Sequence, residues 1–430
     1  MSQGKSRTGL RVVLLVGGLA IASRLVLLLL LPMPPLAEVG ASGDGDTRYY
    51  VRLAQHLESS GEYAQRYLRA YTPPGYPAFL SGLLKLGADS RGVQVVQNLL
   101  YLFAALLLGA LAFRSRGWLA GALAATLALA SPSWLLLPQR ALSETLFVAL
   151  VAIGISIALS GTIPPAFGLA LLTGMVFGLA ALVREMGLVL GGVLGVVVGV
   201  WAWREGMRAR GVALAVTVLL GTVLVIFPWT VRNYRIFGQV VPICTNGPIN
   251  LYIGNNPEAT GVYQWRLPAE GQAVWNRPDE GQSNELFASQ LAGRAAIEYI
   301  VANPSRAVAL VPQRLWALWG PPVALHAGLG MGALARFGAA AVWFGCLGLS
   351  VLGLWRMRRE PLAWFIAGAC LTAVVVHAAT FGDVRFRAAH EYLLMLPAGL
   401  VVAEVWRKRA DRANDDGRAG GHRRSGFHFA

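Results

Sequence analysis

The segment Gly43-Asp44-Gly45-Asp46-Thr47-Arg48-Tyr49-Tyr50 places two carboxylates just beyond the first membrane-length apolar run, and Tyr71-Thr72-Pro73-Pro74-Gly75-Tyr76-Pro77 follows it. A carboxylate held at the edge of a membrane can take a proton from a bound hydroxyl, which is general-base chemistry. Asp46 can equally cap the backbone donors of the helix that the apolar spacing of Tyr50, Leu53, Ala54 and Leu57 predicts after it. A second group, His377, Asp383, Arg385, Arg387, His390 and Glu391, gathers around one turn late in the chain, while Arg140, Arg184 and Arg232 stand at other ends of apolar segments. A guanidinium fork grips phosphate oxygens, so these arginines are candidates for an anionic headgroup; ion pairing with Glu144, Glu185 or Asp383 is their ordinary alternative use.

A third candidate region is Thr245-Asn246-Gly247-Pro248-Ile249-Asn250-Leu251-Tyr252-Ile253-Gly254-Asn255-Asn256-Pro257. Amides both donate and accept hydrogen bonds, and aromatic faces cover apolar sugar edges, so the composition suits a sugar-facing loop. Ordinary Asn/Gly turns with interfacial aromatics have the same composition.

The elements that must position these residues belong to a membrane. Of 430 residues, 55% are hydrophobic and 14% charged, with mean hydropathy +0.53, whereas a soluble domain carries roughly 25% charged residues. Spans are predicted near 11–33, 93–113, 117–137, 144–160, 166–183, 186–203, 211–230, 334–355, 361–380 and 390–407, because helices are the open-ended structure that satisfies its own backbone in lipid. The first is read as a retained span rather than a cleaved signal peptide, since Arg24 lies deep within it; Arg24 is either buried for function or snorkels to the interface. Residues 78–87 are apolar but short, and either lie in the interface, re-enter or span. Gly174 and Gly178 have the small-xxx-small spacing of helix packing.

With the N-terminus inside, the short inner segments hold Lys5, Arg7 and Arg11, then Arg114 and Arg116, then Arg204, Arg208 and Arg210, then Arg356, Arg358 and Arg359, then Arg407, Lys408 and Arg409. That agrees with the positive-inside rule and makes the formal charge of +15 largely topological. Both termini are expected in the cytoplasm and the long loops 34–92 and 231–333 on the extracytoplasmic face of a bacterial inner membrane. Residues 1–410 form one integral membrane domain with these loops, and 411–430 a disordered basic tail. Amphipathic stretches near 295–300 and 307–319 are expected to roof the membrane cavity, with Trp316 and Trp319 as interface anchors or substrate platforms.

No nucleic-acid-reading motif accompanies the positive charge. Cys244, Cys346 and Cys370 show neither a disulfide nor a metal spacing. The chain has no GxxxxGK loop or dinucleotide fingerprint. A lipid phosphate arriving laterally in the membrane would bring arginines and a carboxylate base to one reaction.

The order Asp46 and Tyr50, Pro74-Gly75-Tyr76-Pro77, Ser143-Glu144, Arg184, Arg232-Asn233-Tyr234 and Gly254-Asn255-Asn256-Pro257 resembles the bacterial polytopic glycosyltransferases related to protein O-mannosyltransferases and aminoarabinose transferases, described as glycosyltransferase family 39 or RgtA/B/C/D-like. The resemblance covers roughly residues 10–405. It implies an all-α GT-C fold with about ten or more transmembrane helices and two large extracytoplasmic loops. It also implies inverting transfer of a hexosyl or pentosyl group from a polyprenyl-phosphate sugar to a hydroxyl of a lipid, glycan or protein. Asp46 would be the base, with Asp44 the competing assignment, and Glu144 would orient it, bind acceptor or help hold a divalent metal ion. Arg184, Arg232, His377, Arg385 and Arg387 would contact the donor phosphate; Tyr50, Tyr76, Asn233, Asn250, Asn255 and Asn256 would line the substrate site. Glu185 beside Arg184 departs from the pattern, since a local ion pair there would draw Arg184 away. A lipid-linked substrate flippase, or a glycan ligase or hydrolase, would reuse the same phosphate-binding face.

Overall fold

The computed structural model describes residues 17–42, 45–65, 68–160, 164–275, 284–322 and 332–423. Among them the secondary structure is helical, with two isolated bridges, Gln65 to Leu68 and Val262 to Gly382, in place of any sheet. The N-terminal part comprises α1 (Gly17–Leu30), α2 (Leu36–Ser42), α3 (Gly45–Ser60) and α4 (Gly75–Lys85). A run of apolar helices follows: α5 (Ser90–Arg116), α6 (Trp118–Ala130), α7 (Pro132–Leu136), α8 (Glu144–Ala158), α9 (Phe167–Val183), α10 (Met186–Arg204) and α11 (Arg208–Phe237). Shorter helices come next, α12 (Asn246–Gly254), α13 (Ala269–Trp275), α14 (Asn284–Ala302), α15 (Pro304–Ala309) and α16 (Val311–Trp319). Three long helices close the chain: α17 (Ala333–Arg356), α18 (Pro361–Ala379) and α19 (Ala388–Arg423).

This is a multi-pass membrane protein. Six helices are long and apolar enough to cross a bilayer, or seven if the bent pair formed by α6 and the segment after it is one span. α1, α8 and α9 are apolar but shorter than 18 residues, so each of the ten predicted segments contains helix among the described residues while a count of ten spans is not established. At 11 residues α4 reaches about 16 Å, roughly half the hydrocarbon thickness, and packs on α3.

The bent pair turns by 60° at Ser131, and the break leaves helix-end carbonyls that lipid cannot satisfy. Side chains from other helices supply the donors. Arg24 of α1, buried over the Tyr101 ring at 4.6 Å, donates to Leu129 O (2.8 Å) and Trp134 O (3.1 Å). The Tyr101 hydroxyl donates to Ala128 O (2.8 Å), and Gln97 Nε2 to Pro138 O (3.1 Å) and Arg140 O (2.8 Å). Of the two uses expected for Arg24, it is the buried one, directed at the backbone of another helix. The break matters to the site because it aims the chain so that α8 begins at Glu144.

Gly174 and Gly178 let α9 lie against α11 backbone to backbone: a Cβ on Gly174 would stand 2.1 Å from Val218 O, and one on Gly178 2.7 Å from Thr222 O. Thr222 Oγ1 donates across the gap to Gly174 O at 3.0 Å. The helix-packing reading of that spacing therefore has its contact.

α8, α18 and α19 each run between two chemically distinct ends. At one end Arg114 donates to Ser160 O (2.9 Å), Arg116 pairs with Glu360 (2.5 Å) and Arg356 with Glu404 (2.7 Å), so the predicted inner segments do gather together. At the other end lie Glu144, His377 and Arg385. Over this end sits a lobe made from α12–α16, with a small core of Ile249, Ile253, Leu267, Ala292 and Phe381, while α2–α4 pack into the main core of the bundle.

Three boundaries differ from the sequence reading. α11 contains Pro228, as expected, and continues past residue 230 to Phe237, where Gly238 (φ 66°) closes it in the left-handed conformation, so Arg232 and Asn233 ride on a helix rather than in a loop. α3 starts at Gly45 and contains Asp46 in its first turn. α19 is helical beyond the predicted span end at 407, as far as Arg423, and residues 424–430 of the expected tail lie outside the described residues.

Candidate active site

Arg385 projects from the single turn Val384–Arg387, which is tied down because Asp383 Oδ1 accepts the Arg385 backbone N–H at 2.8 Å. Its guanidinium joins two carboxylates that lie far apart in the chain: Nη2 reaches Asp46 Oδ2 at 3.1 Å and Glu144 Oε1 at 3.0 Å, and Nε reaches Glu144 Oε1 at 3.2 Å. Arg184, in the break between α9 and α10, donates to the same Glu144 oxygen at 2.9 Å and to Ser143 Oγ at 3.0 Å. Glu144 is 2% exposed and stands at the N-terminus of α8, where the helix dipole favours an anion. Its second oxygen, Oε2, is buried with no hydrogen-bond donor among the described residues. The Asp46 side chain remains 50% exposed.

Beside this cluster lies a cavity of about 440 Å³. Glu144, Arg184, His377, Arg385, Asn246 and Asn250 supply polar lining, and Phe147, Met186, Val189 and Phe386 supply apolar wall, a mixture that suits a molecule with a charged head and an apolar tail. His377 Nδ1 donates to Phe381 O at 2.7 Å and its ring stacks on Phe386 at 5.1 Å, so the tautomer that leaves Nε2 an acceptor is held. Cys244 also lines the cavity; its thiol donates to Glu185 Oε1 at 2.7 Å and is pushed well above its usual range by burial and by that carboxylate. Glu185 is thus engaged by Cys244, while Arg184 turns to Glu144.

Other expected site residues direct polar atoms to partners within the protein, although Arg387 Nη2 is buried without one among the described residues. Tyr76 is fully buried, donates to Gln97 Oε1 at 2.9 Å and takes the Tyr50 ring edge-on at 5.1 Å. Tyr50 lies between Tyr76 and Asp46, its phenol pushed up by burial and then by the Asp46 charge. Arg232 donates to Arg69 O (2.7 Å) and Tyr63 O (2.9 Å) beneath the first loop, and Asn233 to Val241 O (3.0 Å) and Ile243 O (3.2 Å). Asn255 Nδ2 holds Ala379 O (2.7 Å) and its Oδ1 accepts from Arg314 (3.0 Å); Asn256 Nδ2 closes onto Tyr252 O (2.9 Å) and Ile253 O (3.1 Å). Arg387 is completely buried, pairs with Glu391 at 3.0 Å, donates to Gly320 O and lies over the Trp343 ring. Asp44 lies outside the described residues.

Tyr263 escaped the sequence reading. Gly382 N–H donates to Gly261 O at 3.0 Å, which brings Tyr263 beside the Arg385 turn, 5.3 Å from the Phe381 ring. Its phenol is pushed up to about 12 by burial and by Asp46. A lone tyrosine in an irregular segment carries no signal that could have marked it.

Among the described residues no metal centre forms. Among the described residues no three His, Cys, Asp or Glu side chains converge. The two carboxylates that do approach share one guanidinium, and a divalent cation between them would face the fixed charges of Arg184 and Arg385.

Helices, lobe and charged cluster together define an all-α polytopic membrane protein with the GT-C fold. Two solved structures from Archaeoglobus fulgidus share it. One is an oligosaccharyltransferase in complex with zinc and sulfate: TM-score 0.50, 15% identity, 85% of this chain and 46% of that one. The other is the archaeal oligosaccharyltransferase AglB with an inhibitory peptide and a dolichol-phosphate: TM-score 0.52, 14% identity, 96% and 52%. This chain thus spans about half the length of both. ArnT from Cupriavidus metallidurans bound to undecaprenyl phosphate superposes at TM-score 0.39, with 15% identity over 94% of this chain and 79% of that one. No protein-family model and no curated protein sequence matches the chain.

Proposed function

We propose that the protein is an inverting glycosyltransferase that moves a hexosyl or pentosyl group from a polyprenyl-phosphate donor to an acceptor hydroxyl. The observation that carries this reading is the Arg385 bridge: one guanidinium holds the half-exposed Asp46 and also forms the wall of a cavity that contains a second arginine. The GT-C fold supports it, and so does the dolichol-phosphate bound in one structure of that fold.

In this reading the donor phosphate enters the cavity from the membrane and meets Arg184 and Arg385, with His377 beside them. Asp46 takes the proton of the acceptor hydroxyl. The freed oxygen attacks the anomeric carbon from the face opposite the phosphate, a carbon–oxygen bond forms, and the bond to the phosphate oxygen breaks. The departing phosphate keeps the electron pair, and its growing charge is met by guanidiniums already in place. Arg385 both orients the base and faces the leaving group, so the two reacting charges share one fixed partner. Glu144 Oε1 sets the two arginines, while Oε2 is free to accept a sugar hydroxyl. Asn250 lines the same cavity.

The gathering of Arg114, Arg116, Arg356 and Arg407 at the opposite end supports an extracytoplasmic site in a bacterial inner membrane. The test is reconstitution of the full chain with labelled polyprenyl-phosphate sugars. Bond-forming transfer that is lost in Asp46→Asn supports the reading. Movement of intact lipid without transfer would replace it with a flippase, and attachment of a whole polymer with a ligase.

A further inference from the structure

The cavity does not account for every ring that gathers near Asp46. Tyr71 meets Trp275 at 5.3 Å and Trp265 at 6.1 Å, the two tryptophans lie 5.4 Å apart, and Tyr71 also packs edge-on against Tyr49 at 5.7 Å. Tyr49 follows Asp46 by three residues on α3, so the cluster is anchored to the helix that carries the candidate base. The segment through Trp265 also carries Tyr263, which the Gly261–Gly382 hydrogen bond sets beside the Arg385 turn.

None of these rings lines the cavity, and neither does Asp46, whereas Arg385 and Glu144 do. Arg385 therefore stands as a divider. The amphiphilic cavity is on one side of it, and Asp46, Tyr263 and the aromatic cluster are on the other. Tyr71 and Trp275 pack on the small core around Ile249 and Ile253, and beside them Trp265 keeps 39% of its surface and Tyr263 47%. Membrane anchoring looks different in this chain. Trp316 is 64% exposed and packs on Phe344 of the α17 span, while Trp265 and Trp275 turn edges and faces to each other and to the first loop.

We propose that Tyr71, Trp265 and Trp275, with Tyr263 at the edge, form an acceptor subsite that takes a pyranose ring, so that the acceptor is a carbohydrate. This rests on the glycosyltransferase reading above. Aromatic faces receive the apolar C–H face of a sugar, while its hydroxyls need polar rims. The exposed Arg266–Glu258 pair (2.5 Å) adjoins Trp265 and supplies both a donor and acceptors. A sugar laid on this shelf presents a hydroxyl toward Asp46, on the side of Arg385 away from the donor phosphate.

Two measurements on the full chain test this. Saturation-transfer NMR in detergent with methyl β-glucopyranoside, maltose and chitobiose reads the shelf without any donor. Saturable binding that is lost in Trp265→Ala and Trp275→Ala, and kept in Trp265→Phe, is the expected result. In the transfer assay with a labelled polyprenyl-phosphate sugar, Trp265→Ala should raise the saccharide KM about tenfold or more while the donor KM stays within about threefold of wild type. Thermal unfolding of each variant separates lost binding from lost folding, and the phenylalanine variant keeps the question open to decision if the alanine variants unfold. Absence of saccharide binding by wild type, an unchanged saccharide KM in Trp265→Ala, or transfer only to a serine peptide or a lipid alcohol overturns the subsite. Wild type that binds saccharides but turns over no polyprenyl-phosphate sugar overturns the transferase reading and leaves the shelf standing.

Discussion

Ion pairs close both ends of the helix bundle, and the two sets are built differently. At the basic end the pairs are open: Arg116 with Glu360, and Arg356 and Lys408 each on its own oxygen of Glu404, all of them partly in solvent. At the site end two guanidiniums converge on one oxygen of a buried carboxylate, and a fourth charged group, Asp46, is held by the same network while half exposed. Open pairs orient the chain and contribute little to stability. A shared buried carboxylate costs desolvation, which is justified where the held groups must keep one geometry. The difference between the ends teaches which arginines to test for chemistry: those bound to side chains that remain reachable.

The sharpest break of the comparison is Asp46→Asn, which preserves shape and removes the base. Transfer should fall by about 10²–10⁴-fold with thermal unfolding near wild type. Near-normal turnover by this variant, with loss in Asp44→Asn, would move the base to Asp44. Glu144→Gln should come next, because it leaves Arg184 and Arg385 facing each other over a neutral amide. A stability loss of about 3 kcal/mol is expected by denaturant titration, together with loss of transfer. Arg387→Met sharpens the contrast from two residues away. It breaks the fully buried pair with Glu391 and should cost about 3–5 kcal/mol, while the folded fraction retains its donor affinity. Arg116→Ala should be the mildest, below about 1 kcal/mol and without effect on transfer. A large loss of turnover there would erase the distinction between the two ends.

Much of the site end was legible because charge is rare in this chain. Asp46, Glu144, Arg184 and Arg385 each sit at the edge of an apolar run, and a charged residue there has few bland uses. The helices followed from the same apolar runs, and Gly174 with Gly178 marked a close approach that α9 and α11 do make. Sequence could not separate Arg184 from Arg232. Both stand at helix ends, and only the fold reveals that Arg232 meets the carbonyls of Arg69 and Tyr63, more than 160 positions away. Nor could it see that Glu185 would find Cys244, since that contact depends on how the lobe sits on the bundle. The extension of α11 beyond residue 230 was hidden for another reason: Arg232, Asn233 and Arg235 end the apolar run there, although the helical backbone continues to Phe237.

Arg24 carries a consequence for how the chain is made. Its acceptors, Leu129 O and Trp134 O, are synthesised 105 and 110 residues after it. Until they enter the bilayer, α1 bears a guanidinium with no backbone to hold, at a penalty of about 2.5–3.5 kcal/mol for an arginine at mid-membrane. The bend at Ser131 thereby ties α1 to a segment made later, so that the N-terminal helix and the broken pair satisfy each other's polar groups as one unit.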